Sequence, residues 1–255
     1  IAITNAATSN APQISAVGDD TNVDLKLSHK GSLGKIILED SNGNEVLETS
    51  ETASAINQLK VTNSAAGNSP LLESAGDDTN IGLDIKTKGT GSLGLFTNSN
   101  EALNIDQNGL ITKPLQSLVI AQAALQSNVT GNGTPYTVQY TTEIEDRNND
   151  FDGTSTYTAP VTGVYRISGT IEIEGIGTGS MEMKIEVITS NRTHVVYDAK
   201  AGGNSGTGGK VNLNFSVLAD MDSSDTATIS ITGTQEGSDI HDVGTESFLY
   251  VELVA

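Results

Sequence analysis

Tyr165-Arg-Ile167-Ser-Gly169-Thr-Ile171-Glu-Ile173 places an apolar or small residue at every second position, with polar residues between. A period of two is that of a β-strand with one face buried and the other in water. The same period recurs on both sides of this stretch. Upstream stand Val138, Tyr140, Thr142 and Ile144. Downstream come Met181, Met183, Ile185 and Val187, then Val211, Leu213, Phe215 and Val217, then Ala227, Ile229 and Ile231, and finally Leu249, Val251 and Leu253. Turn-forming clusters separate these runs at 175–180, 202–209 and 236–245. About eight to ten strands in roughly 140 residues predict a jelly-roll β-sandwich head over 114–255.

Upstream of Pro114 the pattern changes. Residues 3–35 are repeated by 61–95: Gly18-Asp19-Asp20-Thr21-Asn22 falls on Gly76-Asp77-Asp78-Thr79-Asn80, and Lys30-Gly31 on Lys88-Gly89. The offset is 58, steps to 60 after a two-residue insertion, and settles at 56 where Asn42–Leu47 meets Asn98–Leu103. A tandem repeat feeding a unique C-terminal unit predicts a shaft carrying a head, with repeats at 1–60 and 61–113. Each copy reads as short strands without a helix: Val23–Leu27, Lys35–Leu38, Ile81–Ile85 and Leu93–Phe96. Asn42-Gly43 and Asn108-Gly109 are hairpin signals. The whole chain is therefore expected to be all-β. Only Leu115–Leu125 admits a helix, and a buried strand at Leu118–Ala121 fits it equally.

Composition narrows the function classes. Aromatic residues are 4% of the 255, Trp is absent, and Gly reaches 27. With so few large anchors the repeats should make a thin core and gain burial by associating with identical chains. The net charge is −19; residues 1–113 carry 7 basic against 14 acidic groups, the remainder 6 against 18. Such a surface repels nucleic-acid phosphate and anionic lipid, so neither is an expected partner. There is no cysteine, hence no disulfide and no thiolate metal site. No run reaches the length of a membrane span. Ile1 in place of a starting Met predicts a fragment or a processed chain.

Tyr140-Thr-Thr-Glu-Ile-Glu-Asp-Arg-Asn-Asn-Asp-Phe151-Asp152-Gly153, then Tyr157-Thr158-Ala159-Pro160-Val-Thr-Gly163-Val164-Tyr165, resembles the globular head of complement component 1q and its relatives, which share the jelly roll of the tumour necrosis factors. Ala219–Asp225 resembles that family's late polar turn, although its usual Gly-Asp reads Ala219-Asp220 here. Ser247–Leu253 matches its closing aromatic strand. The resemblance covers roughly residues 115–255 and lacks a collagen stalk, since Gly does not recur every third residue. The Asp-Thr-Asn and Lys-Gly-Thr-Gly stretches of the repeats, with the Asn108-Gly-Leu-Ile-Thr-Lys-Pro114 lead-in, look like those of bacteriophage tail fibres. That resemblance implies a homotrimer, a β-structured shaft and a distal receptor-binding tip.

Several motifs lend themselves to chemistry. Gly89-Thr-Gly91-Ser-Leu-Gly94 has dinucleotide-fingerprint spacing but no following helix to hold a pyrophosphate, and reads as a turn. Gly202–Lys210 has Asn204 and Val211 where a phosphate-binding loop needs Gly and Ser or Thr, and reads as a loop. The histidines His29, His194 and His241 form no pair at metal spacing, and there is no Gly-x-Ser-x-Gly elbow. No catalytic residue is assigned, and no cofactor beyond one cation. Asn148, Asp150 and Asp152 with Gly153 match the opening half of a calcium loop, while the closing acid is Ala159. Four Asn-x-Ser/Thr sequons, at Asn128, Asn132, Asn191 and Asn214, are a by-product of composition.

The expected function is attachment. A trimeric phage tail fibre, located in the virion, would bind a glycan or protein receptor on the host surface through its head. A secreted or cell-surface bacterial adhesin of the same build is the alternative, and a polysaccharide depolymerase a second one. In a jelly roll the sheets are scaffold and the loops carry recognition. The candidate loops are 175–180, 202–209 and 235–245. The third, with its flank, supplies Asp239, His241, Asp242 and Glu246 as hydrogen-bonding groups for a receptor.

Overall fold

The computed structural model describes residues 2–4, 13–31, 34–176, 181–201, 209–235 and 240–254. All regular structure in them is β. The chain divides into two compact units, Ile1–Ile85 and Lys86–Ala255.

The first unit holds three antiparallel pairs: β1 (Ala2–Thr4) with β2 (Gln13–Ser15), β3 (Ile36–Glu39) with β4 (Glu45–Thr49), and β5 (Asn57–Thr62) with β6 (Leu71–Gly76). The Asn42-Gly43 turn forms because the Asp40 carboxylate accepts the N–H groups of Asn42 and Asn44 at 2.8 and 2.9 Å. No residue of described burial between 14 and 85 is buried. The expected strands at Val23–Leu27 and Ile81–Ile85 are not strands. Alternation supplies a strand with an apolar face but not with a neighbour, and each hairpin here pairs only within itself.

The second unit opens with β7 (Leu93–Thr97), β8 (Asn100–Ile105) and β9 (Ile111–Thr112) in one small sheet. Residues 89–91 form a turn, with the Gly91 N–H donating to the Lys88 carbonyl at 3.3 Å, and the strand β7 begins within the motif at Leu93 with no helix following. β7 and β8 are joined by Asn98 and Ser99, both at positive φ, the geometry of a tight two-residue hairpin. The equivalent connection in the first copy spans 40–44, so the second copy's shorter spacing is a shortened turn. Asp106 repeats the role of Asp40. Its carboxylate accepts the N–H groups of Leu110 and Asn108, and these bonds hold it below the usual carboxylate range.

The sandwich follows. Its strands are β10 (Leu118–Gln122), β11 (Gln126–Thr130), β12 (Tyr136–Thr137), β13 (Thr142–Asp146), β14 (Tyr157–Thr158), β15 (Gly163–Ile176), β16 (Met181–Thr189), β17 (Thr193–Ala201), β18 (Gly209–Met221), β19 (Thr226–Gln235), β20 (His241–Val243) and β21 (Phe248–Leu253). One sheet runs β13-β10-β21-β15-β18, with β20 and then β11 beside the far end of β15; the other runs β12-β19-β16-β17, with β14 also on β19. From β15 onward the chain passes to the second sheet for β16 and β17, back for β18, across for β19 and back for β21, which is jelly-roll winding. Leu118–Gln122 is a strand, which resolves the helix alternative.

The inward residues are those of the two-residue period: Tyr165, Ile167, Ile171, Met183, Ile185, Val187, Leu213, Phe215, Ile229, Ile231, Leu249 and Val251 are all buried. Thr142 and Ile144 are the exceptions, both exposed, Ile144 at 53%. The β10–β13 register shifts between Ile120 and Ala121, pairing Ile120 with Glu145 and Ala121 with Glu143, so Ile144 bulges out of the ladder. The Tyr157-to-Tyr165 motif has a physical basis. Both rings are fully buried with centroids 5.6 Å apart. The Tyr165 hydroxyl donates to the Val161 carbonyl at 2.6 Å, fixing the bend that Pro160 begins. Tyr157 donates to Ser117 Oγ at 2.7 Å, and Ser117 donates to Asp150 at 2.6 Å.

Every member of the buried apolar cluster lies between Val119 and Val251. Residues 114–255 are therefore expected to fold alone. Circular dichroism of that fragment should show a β-spectrum and a cooperative melt; a coil spectrum would refute the boundary.

Candidate functional site

The register of the sandwich gathers the three candidate loops at one end. Ile176 pairs with Gly209, and Met181 pairs with both Ala201 and Gln235. The strand ends bearing 175–180, 202–209 and 235–245 therefore lie side by side. The loop interiors 177–180, 202–208 and 236–239, Asp239 among them, fall outside the described residues.

His241 and Asp242 belong to a strand rather than to a loop. β20 pairs with the end of β15, Val243 opposite Ile173 and Asp242 opposite Glu174. His241 and Val243 point inward and are buried. The His241 Nδ1–H donates to the Gly175 carbonyl at 3.1 Å, and Nε2 is buried with no partner among the described residues. In this structure His241 faces the core and ties β20 to the last turn of β15. Asp242 points the other way, and its carboxylate accepts the Asn128 N–H at 2.7 Å, where β11 is irregular and Asn128 has φ of 61°. Glu246 is exposed.

The anchor of this end is a residue the sequence did not single out. Glu172 lies on the outward side of β15, yet its side chain is only 4% exposed. The 244–247 turn covers it. Glu246 donates its N–H to Glu172 Oε2 at 3.1 Å, Gly244 donates its N–H to the Glu172 carbonyl at 2.9 Å, and the Glu172 N–H is accepted by Ser247 Oγ at 2.9 Å. Lys210, from β18, reaches Glu172 at 3.2 Å and Glu174 at 2.7 Å. A Cβ on Gly244 would collide with the Glu172 carboxylate, so a larger residue here would have to displace it. Burial by itself would raise the Glu172 carboxyl, but the Glu246 N–H and the Lys210 ammonium outweigh it and hold it below the ordinary value. Local alternation shows that Glu172 is on the wet face; its burial under a turn some 70 residues later leaves no local signal.

Asn148, Asp150 and Asp152 close the loop between β13 and β14. Asp146 accepts the N–H groups of Asp150 and Phe151. Asp150 accepts from Ser117. Asn148 turns its amide nitrogen, not its oxygen, toward the Leu115 carbonyl at 3.0 Å and Asp150 at 3.5 Å. Asp152 Oδ1 accepts the N–H groups of Thr154, Ser155 and Thr156 at 2.8, 2.8 and 3.0 Å. Desolvation raises the Asp152 carboxyl, and these bonds more than reverse it. The three residues thus share one loop, with the Asp152 carboxylate engaged by the loop's own backbone and the Asp150 carboxylate by Ser117, just before β10, and by Asn148. Among the described residues no group of three acidic or histidine side chains is placed to hold a metal.

No protein-family model matches the chain, and no curated protein sequence matches it. Solved structures similar to it include the globular domain of zebrafish complement 1qA, at 13% identity and a TM-score of 0.41, covering 55% of this chain and 98% of that one. Murine APRIL at pH 8.5 is similar at 11% identity and a TM-score of 0.37, covering 54% and 99%.

Glu172→Gln is expected to cost about 1–3 kcal/mol at neutral pH, because it removes a charge-assisted buried set of bonds. The Glu172 carboxyl is depressed by folding, so its stabilisation is full above the ordinary value of 4.5 and is lost as pH falls through the folded titration. Urea unfolding of both proteins should show the gap closing below that pH; a pH-independent gap would assign the loss to packing.

Proposed function

We propose that this chain is the distal part of a trimeric attachment fibre of the phage tail-fibre kind, and that its head binds a saccharide or protein on a host-cell surface without catalysis. The observation that carries the reading is the convergence of three loop-bearing connections on one end of a closed sandwich whose strand ends are pinned by Glu172, His241 and Asp242. A rigid base under adjacent loops is the arrangement by which scaffolds present recognition segments. The negative charge of residues 114–255 favours a neutral or cationic receptor surface over an anionic one.

The outer faces of the two sheets support self-association. On the second sheet the outward residues of β19 are Thr226, Thr228, Ser230, Thr232 and Thr234, beside Glu182, Lys184 and Glu186 of β16. On the first sheet Ile120 lies opposite Tyr250 and Gln122 opposite Phe248. The Phe248 and Tyr250 rings stack outside the sandwich with centroids 6.2 Å apart, and Tyr250 is 41% exposed. The stacked aromatic pair beside Ile120 fits a contact between copies; the second sheet exposes Ile188 and Val195 but no such ring pair among the described residues.

Tyr250→Asp is expected to convert a trimer to monomers at micromolar concentration while the melt stays cooperative; light scattering showing an unchanged trimer would exclude this face. For recognition, β20 must be kept, so the test replaces 236–240 alone with a Gly-Ser segment of equal length. Adsorption to host cells and glycan-array binding should be lost with the trimer intact. Retained binding would put recognition elsewhere, and wild-type protein that binds no cell or glycan would remove the attachment reading.

A further inference from the structure

Val23–Leu27 and Ile81–Ile85 occupy the same place in the two sequence copies, 58 residues apart. Neither carries a strand or a bridge, and neither has a positive-φ residue. Among the described residues neither makes a backbone–backbone hydrogen bond; the Gly82 carbonyl accepts only the Ser74 hydroxyl, at 2.9 Å. Their apolar side chains alternate, and all but Ile81, which is half-buried beside the β5–β6 hairpin, are exposed. Leu25 is 41% exposed, Leu27 and Ile85 60% each. Between the apolar positions stand Asp24 and Lys26 in one copy and Gly82 and Asp84 in the other, where Lys86 follows directly after Ile85.

These are strands without partners, and the hairpins around them lack the cover that two-stranded pairs need for stability. We propose that Val23–Leu27 and Ile81–Ile85 are pairing strands for the same segments of a second copy of this chain. The occupant follows from charge and period. A neighbouring copy staggered by two residues sets the Asp of one strand against the Lys of the other on the polar face. A stagger of two also keeps all apolar residues on the opposite face. Recurrence at a fixed spacing lets two such contacts form in tandem between the same copies. The inference rests on the self-association proposed for the head.

The test is amide hydrogen exchange on the full chain, with its mass measured by light scattering in the same buffer. In an assembled protein the amides of 23–27 and 81–85 should exchange at least about tenfold slower than in a free peptide. Free-peptide rates in an assembled protein would overturn this inference and leave the head reading standing. A monomer would remove both, and protection within a monomer would assign the segments an intramolecular partner instead. Charge reversal gives a second readout. Asp24→Lys with Asp84→Lys, or Lys26→Asp with Lys86→Asp, should each lose protection as a homogeneous protein. Refolding the two variants together should restore it, and failure to restore it would refute the Asp–Lys register.

Discussion

The ladder of β15 is the constraint on which the rest of the head depends. Along one edge it pairs with β18 from Gly163 opposite Met221 to Ile176 opposite Gly209. Along the other it takes β21 and then β20. A strand flanked on both sides over most of its length has most of its backbone groups satisfied, so its side chains need only obey the period of two. The pairing with β21 is close enough at one point to dictate a residue. A Cβ on Gly169 would run into the Phe248 carbonyl, and the Phe215 ring lies 2.8 Å from where it would stand. A small residue in the middle of an otherwise Ile-rich strand is therefore a packing requirement rather than a weakness.

The same ladder sets the end that carries the three loops. Because β20 docks on the last residues of β15, the chain must turn between Val243 and Phe248 directly over Glu172. The carboxylate there meets two donors, one from the turn and one from β18, so it ties three strands at a single buried point. A buried charge with fewer partners would destabilise the fold; with its hydrogen-bonding capacity engaged it fixes one arrangement. Rigidity at the base of the loops leaves their variation free of consequences for the sheets.

Much of the head was legible because burial repeats locally. The sets beginning at Tyr165, Met181, Val211, Ala227 and Leu249 are all in strands with the expected face inward. The Tyr157-to-Tyr165 motif was read through a family resemblance, and its contacts, the ring pair and the Val161 bond, lie within nine residues. What failed was information held by partners distant in sequence. Ile144 alternates correctly, but a register shift in β10 expels it. His241 and Asp242 sit in a polar stretch, yet Val243 two positions after His241 was the trace of a strand that went unread. Glu172, Lys210 and Ser247 meet only after the strands pair, and no window of sequence contains all three. In the repeats the reverse holds: Val23–Leu27 has every local property of a strand and lacks a neighbour.

The two units consequently stand in different relations to chain length. In the first, each observed pair joins segments close in sequence, β5 to β6 for example, and closing such loops costs little entropy. Those hairpins bury almost nothing in return. In the head the core sheet joins β10 to β21, Leu118 opposite Glu252. That contact spans most of the unit, costs more to close, and cannot form before the last strand exists. It is also the contact that creates the outward stripe of Ile120, Phe248 and Tyr250, since Ile120 and Tyr250 become neighbours only through the β10–β21 register. The surface best suited to bring copies together is thus a product of the head's own closure, whereas the repeats present their unpaired strands from the start. Head closure therefore precedes any gathering of copies through that stripe. In the proposed assembly, gathering would raise the local concentration of the repeat segments that pair with no strand among the described residues.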